Sequence, residues 1–377
     1  MGSIGKLSRY SFPDGFVFGS SSAAYQYEGE TNRSGKGPNI WDTFIEEHPE
    51  RISDHSNANV AVDFYNRYKE DVQRMKKVGM DAFRFSISWS RVLPYGRLSA
   101  GINEEGIQFY NNLIDELLRN GIQPYVTLFH WDTPQALEDR YGGFLSPNIL
   151  NDFRDFVELC FQKFGDRVKN WITLNEPFMF SVNGYDTGTL APGRISTLEN
   201  SCTGQPKISG ATEVYIVTHH LLLAHATAVK VYKEKYQNMH DYVGGRLPKF
   251  SEEESKMLTG SYDFIGINYY TTYYARNVED VNYKNIGFME DARVTWPGER
   301  NGIPIGPQAG SSWLYIYPEG IRHLLNYIKD AYGNPTIYIT ENGVDDVKSS
   351  SLEEALNDPI REKSYKDIFY NVLESIK

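Results

Sequence analysis

Cysteine is nearly absent from this chain: Cys160 and Cys202 are the only two in 377 residues. Two cysteines make no disulfide framework, and Cys160 falls on an apolar helical stripe, where a thiol acts as an inert small core residue. Positive charge is also short. Acidic residues number 49 against 38 basic ones, a net charge of −11, which argues against nucleic acid or an anionic membrane as a partner. No stretch approaches the roughly 20 apolar residues of a membrane helix. The start, Met1 to Ser8, has no apolar run suited to a signal peptide. The sequon Asn32-Arg33-Ser34 is then read as chance, and a soluble cytoplasmic or otherwise intracellular protein is expected. There is no phosphate-cradling P-loop, no glycine-rich dinucleotide turn and no Gly-x-Ser-x-Gly elbow, so no cofactor is expected. His219, His220 and His225 share one apolar helix at spacings that miss the i, i+4 pairing of a metal face, and no metal site is expected.

What is present supports a substantial core: 40% of residues are apolar, and aromatics reach 14% with 27 Tyr and 6 Trp. The length suits two average domains or one large α/β barrel. Elements alternate along the chain. A strand is predicted at Phe16–Gly19, then a helix from about Asn59 to Lys77 with Val60, Phe64, Tyr68, Val72 and Met75 on one face. A strand follows at Ala82–Trp89, then a helix capped by Asn103, with Glu104 and Glu105 in its first turn and a stop at Gly121. Gln123–Phe129 reads as the third strand. Ser146-Pro147 opens a helix that keeps its period through Phe164 and ends at Gly165.

The fourth strand is Trp171-Ile172-Thr173-Leu174, and a long helix from about Ala211 to Tyr236 follows it. Tyr262–Asn268 is read as a strand, followed by a loop of about forty residues, a helix from about Pro318 to Tyr332, and a strand into Glu341. Strict alternation implies parallel strands and βαβ units, and polar punctuation at the strands' C-terminal ends favours a (β/α)8 TIM barrel. One domain over residues 1–377 is expected, with about 1–11 as an N-terminal extension. The count falls short, because six strands are found where a closed barrel needs eight.

The two strands that break off in a lone glutamate carry most of the chemistry. Asn175-Glu176-Pro177 and Glu341-Asn342-Gly343 each hold a carboxylate at the rim of a sheet, beside a loop, on rigid backbone. Two such carboxylates facing one another are the apparatus for cleaving a glycosidic bond. The other strand ends contribute Gln26, Arg84, His130, Asn268 and Tyr270. Taken singly, a strand-end Asn or His can equally be a loop cap. As a rim of amides, imidazole and carboxylates, the set suits a polyhydroxylated ligand whose hydroxyls need both donors and acceptors.

In these residues the chain resembles the plant β-glucosidases of glycoside hydrolase family 1. The resemblance runs from about Phe12 to the C-terminus. It is carried in order by Phe16-Val17-Phe18-Gly19 with Tyr25-Gln26-Tyr27-Glu28-Gly29, by Arg84-Phe85-Ser86-Ile87-Ser88-Trp89 and by Leu128-Phe129-His130-Trp131. Thr173-Leu174-Asn175-Glu176-Pro177, Ile267-Asn268-Tyr269-Tyr270 and Ile339-Thr340-Glu341-Asn342-Gly343 complete it. The resemblance implies a TIM-barrel retaining glycosidase acting on a small-molecule β-glucoside, the aglycone a plant secondary metabolite. Glu176 matches the acid/base and Glu341 the nucleophile. Gln26, His130 and Asn175 match residues that hold glucose hydroxyls. Arg84, Asn268 and Tyr270 match the group that positions the nucleophile and keeps it ionised. Related thioglucosidases carry Gln at the acid/base position, so Glu176 implies an O-glycosidase.

The chain also departs from the family. Tyr236-Gln237 joins directly to Asn238-Met239-His240, where the family has a fifth strand and its helix, and the family's eighth strand, with the Trp and Glu that complete the sugar site, is not found. A loop disulfide common in plant members cannot form, because Ile195 stands where the partner of Cys202 is expected. The expectation is an incomplete barrel, lacking the fifth and eighth strands, in which Glu176 and Glu341 still approach at the retaining distance of roughly 5–5.5 Å, with little or no turnover. Two other readings stay open: a non-catalytic glucoside-binding or interaction protein, and a non-functional splice form or gene-model product.

Overall fold

Residues 7–195, 210–236, 257, 260–279, 288–346 and 351–377 are described by the computed structural model. They divide into two units, one of Phe18–Tyr262 with Asn282–Asp291 and one of Met1–Val17, Asp263–Val281 and Ala292–Lys377.

The first unit is built on a parallel sheet of β1 (Gly19–Ser21), β2 (Ala82–Ser86), β3 (Gln123–Phe129) and β4 (Asn170–Leu174), side by side in chain order. Helix α1 (Phe64–Val78) joins β1 to β2, α2 (Glu104–Arg119) joins β2 to β3, and α3 (Ile149–Phe164) joins β3 to β4. A parallel neighbour can be reached only by such a crossover, so each step is a βαβ unit. Helix α4 (Pro177–Tyr185) and the long α5 (Gly210–Lys235) follow β4. Helix α2 buries Ile107, Tyr110, Leu113, Ile114 and Leu117 at helical spacing, and α3 buries Ile149, Phe153, Phe156, Val157, Cys160 and Phe164. Burial pushes the Cys160 thiol up, which leaves it the inert core group read from the sequence.

Helix α5 corrects one expectation. Its stretch Thr212–Lys235 is long and apolar enough to cross a membrane by length and composition. Here it packs against α3 and α4, and Val214, Val217, Leu221, Ala224, Ala228 and Val231 are buried in the core.

Several boundaries move, for local reasons. The first strand begins at Gly19 rather than Phe16, because the Phe18 N–H is taken by the Asp81 carboxylate at 2.9 Å. The first helix begins at Phe64 rather than Asn59. Ala61 and Asp63 adopt left-handed backbone, with φ of +49° and +57°, and Val60 is exposed. The Val60 carbonyl instead sits against Gly29, where a Cβ would lie 2.3 Å from its oxygen. Only glycine, here at φ +73°, tolerates that approach. The second strand stops at Ser86, and Trp89–Val92 forms a helical turn. Asn103 precedes α2 as expected, but its side chain does not cap it. It donates to the Ser34 and Arg91 carbonyls at 2.7 and 2.9 Å, tying the Ser34 loop to that helical turn. Beneath them lies a fully buried ion pair, Arg91 to Glu28 at 2.8 Å, with the Tyr110 hydroxyl donating to the same carboxylate at 2.7 Å.

The second unit pairs β5 (Ile265–Asn268) with β6 (Ile337–Glu341) in parallel. Helix α6 (Glu319–Tyr332) joins them and packs against α7 (Pro359–Ile376). The strand expected from Tyr262 thus begins at Ile265. The loop after it carries two small antiparallel ribbons, Arg276–Asn277 with Val294–Thr295 and Glu299–Arg300 with Ile303–Pro304. Phe12, just past the expected N-terminal extension, packs its ring 6.0 Å from Phe369 of α7.

Among the described residues six strands pair in parallel, the number read from the sequence. Every residue of β2 is buried, whereas every residue of β4, an edge strand of its sheet, is only half-buried. Cys202 and the junction at Gln237–Asn238, with the stretch after it, lie outside the described residues, while Ile195 forms a β-bridge with Thr187.

Candidate active site

Strand ends position the first group of residues. Arg84 rises from β2 beside β3, where its Nε donates to the Thr127 hydroxyl at 3.0 Å. Its Nη2 donates to the Asn175 amide oxygen at 2.6 Å. A guanidinium can only donate, so this contact fixes which way the Asn175 amide faces. Asn175 must then present its NH2 to His130 Nε2, 3.2 Å away. Nε2 is therefore the acceptor of a neutral imidazole, and the ring proton resides on Nδ1, which has no partner among the described residues. Neutrality has a separate cause. Burial, reinforced by the Arg84 charge, drives the His130 pKa down to about 3.

Two backbones in this group are strained. Trp131 has φ +70° and Glu176 has φ +40°, both left-handed conformations that cost a residue with a side chain of order 1–3 kcal/mol. At Trp131 the twist lets the indole N–H reach the Asn175 carbonyl at 2.8 Å. At Glu176 it ends β4 and starts α4, with Pro177 at the first helical position and the Glu176 carbonyl accepting from Phe180 N–H at 3.0 Å. The acid/base candidate is thus rigidly held and half-buried.

Gln26 stands apart. It lies in the helical turn Ala24–Tyr27, anchored to β2 by Ala24 N–H on the Ser86 hydroxyl at 2.7 Å, but its side chain is exposed. Among the described residues it makes no hydrogen bond to Arg84, His130 or Asn175.

The second group belongs to the other unit. The Tyr270 hydroxyl donates to Glu341 Oε2 at 2.8 Å, and the Glu341 carbonyl accepts from Tyr269 N–H at 3.0 Å. Asn268 sits opposite Glu341 in the β5–β6 register, its amide oxygen accepting from the Thr340 hydroxyl at 2.8 Å. Asn342 donates to the Tyr269 carbonyl at 2.7 Å, closing the strand end. The sequence reading of these two groups passed over Thr127, Trp131 and Thr340. Trp131 stood in a quoted motif; Thr127 could have been found as the β3 residue two positions beyond Tyr125, the register partner of Arg84.

Two residues past Glu176, Phe178 joins an aromatic cluster. Phe178 and Tyr215 are each 48% exposed, and both approach Phe288, with centroids 5.4 and 6.1 Å from it. Such a shelf can take a flat apolar group.

The profile of glycosyl hydrolase family 1 matches residues 8–244 and 235–377. The two blocks meet around the junction inferred from the sequence. The chain is 50% identical to β-glucosidase 12 of Oryza sativa over 426 aligned positions, covering 98% of this chain and 83% of the relative. It is 49% identical to raucaffricine-O-β-D-glucosidase of Rauvolfia serpentina, with 98% of this chain and 82% of that enzyme covered. Against the cyanogenic β-glucosidase of Trifolium repens identity is 51%, with 89% of this chain and 91% of the relative covered. Among solved structures, the rice β-glucosidase Os3BGlu6 superposes with a TM-score of 0.90 at 43% identity, covering 99% of this chain and 88% of that one. A variant of that enzyme has been solved in a covalent complex with glucose. The fold is the (β/α)8 barrel, here with six of its strands among the described residues. With the alternating strands, both strand-end glutamates and about half of all positions shared with these enzymes across nearly its whole length, the chain belongs to glycosyl hydrolase family 1.

Proposed function

We propose that this chain hydrolyses O-β-D-glucosides with retention of configuration, Glu341 acting as nucleophile and Glu176 as acid/base. The observation that carries the reading is the Tyr270 hydroxyl on Glu341 Oε2 at 2.8 Å, which fixes a carboxylate on a rigid strand end. In the first step Glu341 attacks the anomeric carbon while Glu176 protonates the departing oxygen, leaving a glucosyl ester. In the second step Glu176, now a carboxylate, takes a proton from water as that water attacks the ester, and Glu341 is released. The covalent glucose complex of the rice relative supports such an intermediate. Arg84 orients Asn175, and with neutral His130 the pair offers an amide and an imidazole N–H to sugar hydroxyls. Phe178, Phe288 and Tyr215 favour an apolar aglycone.

The reading requires the two carboxyl groups to work at roughly 5–5.5 Å, since roughly 6.5–9.5 Å would make room for the water of an inverting reaction. The test is hydrolysis of an aryl β-D-glucoside with Glu341→Ala as control. Release of β-glucose, abolished in the control, supports the reading; release of α-glucose, or turnover that survives the control, contradicts it.

A further inference from the structure

One buried carboxyl has no place in the mechanism above. Asp132 follows the His130–Trp131 turn, is 1% exposed, and neither of its oxygens is hydrogen-bonded to a described residue. Around it three segments distant in sequence meet. Gly37 N–H donates to the Ser90 carbonyl at 2.9 Å, Ile40 N–H donates to the Thr133 carbonyl at 2.9 Å, and Asn39 bridges to Pro134. These segments bring together four more buried polar atoms without partners among the described residues: the hydroxyls of Ser88, Ser90 and Thr133, and the Asn39 amide nitrogen. Buried polar atoms of this kind are the ones that ordered internal water satisfies, each water making about three hydrogen bonds.

We infer that Asp132 is a positioning residue for the glucoside site: held through internal water by Ser88, Ser90, Thr133 and Asn39, it sets the left-handed Trp131 turn. The path to the chemistry is short. Trp131 donates to the Asn175 carbonyl at 2.8 Å, His130 contacts the Asn175 side chain at 3.2 Å, and Asn175 immediately precedes Glu176. A shift of the Asp132 turn therefore reaches the acid/base candidate through two rings and one amide. The inference rests on the reading of Glu176 as acid/base.

The burial of Asp132 also makes this device sensitive to pH. Burial, with the negative Glu28 behind it, raises Asp132 to about 7 against the opposing pull of Lys36 and the Ser88 hydroxyl. That hydroxyl lies near enough to favour the charged form but outside hydrogen-bond geometry. The charged groups that act on Asp132 are themselves paired: Lys36 with Asp42 at 2.7 Å, Glu28 with Arg91 at 2.8 Å. Neighbouring His130 stays neutral across this range. Near neutrality Asp132 therefore passes from a carboxylic acid that can donate to a carboxylate that can only accept.

The experiment labels the protein with 5-fluorotryptophan, assigns Trp131 by Trp131→Phe, and follows its fluorine resonance from pH 5 to 9. A titration with its midpoint near 7, lost in Asp132→Asn and moved upward in Ser88→Ala, is the expected result. No titration in the wild type, or one that persists unchanged in folded Asp132→Asn, overturns the inference. If Asp132→Asn does not fold, the Ser88→Ala midpoint decides, and an unmoved one overturns it. Aryl glucoside turnover is profiled in parallel. An inflection near 7 in kcat, absent in Asp132→Asn with KM unchanged, supports the link to the reaction; a kcat profile without it overturns that link. Failure of turnover at every pH with the Trp131 titration intact counts against the hydrolase reading and upholds the hold of Asp132 on Trp131.

Discussion

Removing a single oxygen atom, in Tyr270→Phe, tests the nucleophile assignment without disturbing the strand that carries it. The Tyr270 ring keeps its edge contact with Trp313, centroids 6.3 Å apart, so the phenyl ring stays in place while the bond to Glu341 is lost. A hydrogen bond to a charged group is worth about 1.5–3 kcal/mol. At 1.36 kcal/mol per tenfold, formation of the glucosyl ester slows roughly 10- to 150-fold. Because Tyr270 holds the attacking group rather than the sugar, the loss falls on kcat for aryl glucosides with good leaving groups, with little change in KM. Stopped-flow release of the phenol separates ester formation from its hydrolysis. A rate within twofold of wild type would refute the idea that this hydrogen bond tunes the nucleophile. A loss as complete as that of Glu341→Ala, with an unchanged melting temperature, would place Tyr270 itself in the covalent chemistry.

Three further outcomes follow from the same geometry. Glu176→Gln loses roughly 10²–10⁴ in rate on glucosides with poor leaving groups, which need the proton, but far less on a dinitrophenyl glucoside; equal losses on both would remove Glu176 as the acid. His130, whose folded pKa of about 3 lies below its ordinary value of 6.5, binds its proton more readily unfolded, so it destabilises the fold as pH falls from about 6.5 toward 3. His130→Gln should take about 1.4 kcal/mol per pH unit off the acid limb of the stability profile, and an unchanged limb would mean the imidazole is not desolvated. Glu28→Gln strands Arg91 at 0% side-chain exposure and should cost about 3–5 kcal/mol in denaturant unfolding; a cost under about 1 kcal/mol would show that water reaches the pair.

The parts of the fold legible in the sequence are those governed by local periodicity. Strand β3 spans Gln123–Phe129 as read, because its apolar run is bounded by Ile122 after Gly121 and by the polar His130. Both glutamates sit where an apolar strand breaks against Pro or Gly, a signal that needs no tertiary information. The misreadings arise where distant chain intervenes. Val60 continued a helical stripe on paper, yet Gly29 and Glu30 claim the Val60 and Asn59 carbonyl region, and left-handed Ala61 and Asp63 break the helix. Asn103 looked like a cap, but the Ser34 and Arg91 carbonyls are better placed to take its amide. Asp132 carried no signal at all, because its burial depends on segments around residues 39, 88 and 132 coming together. The likeness to β-glucosidases named the catalytic pair; only the structure exposes what orients Asn175.

The account turns on Glu341 being the residue that bonds to the sugar, and a single turnover is enough to see it. Incubation with 2-deoxy-2-fluoro-β-D-glucosyl fluoride, which forms the ester readily and hydrolyses it slowly, tolerates even a poorly active enzyme. Digestion and mass spectrometry should find one added fluoroglucosyl group on the peptide Thr336-Ile337-Tyr338-Ile339-Thr340-Glu341-Asn342, mapped to Glu341 and absent from Glu341→Ala. A label on any other residue, or none after prolonged incubation of folded protein, would contradict the assignment of this strand end as the nucleophile of a retaining glucosidase.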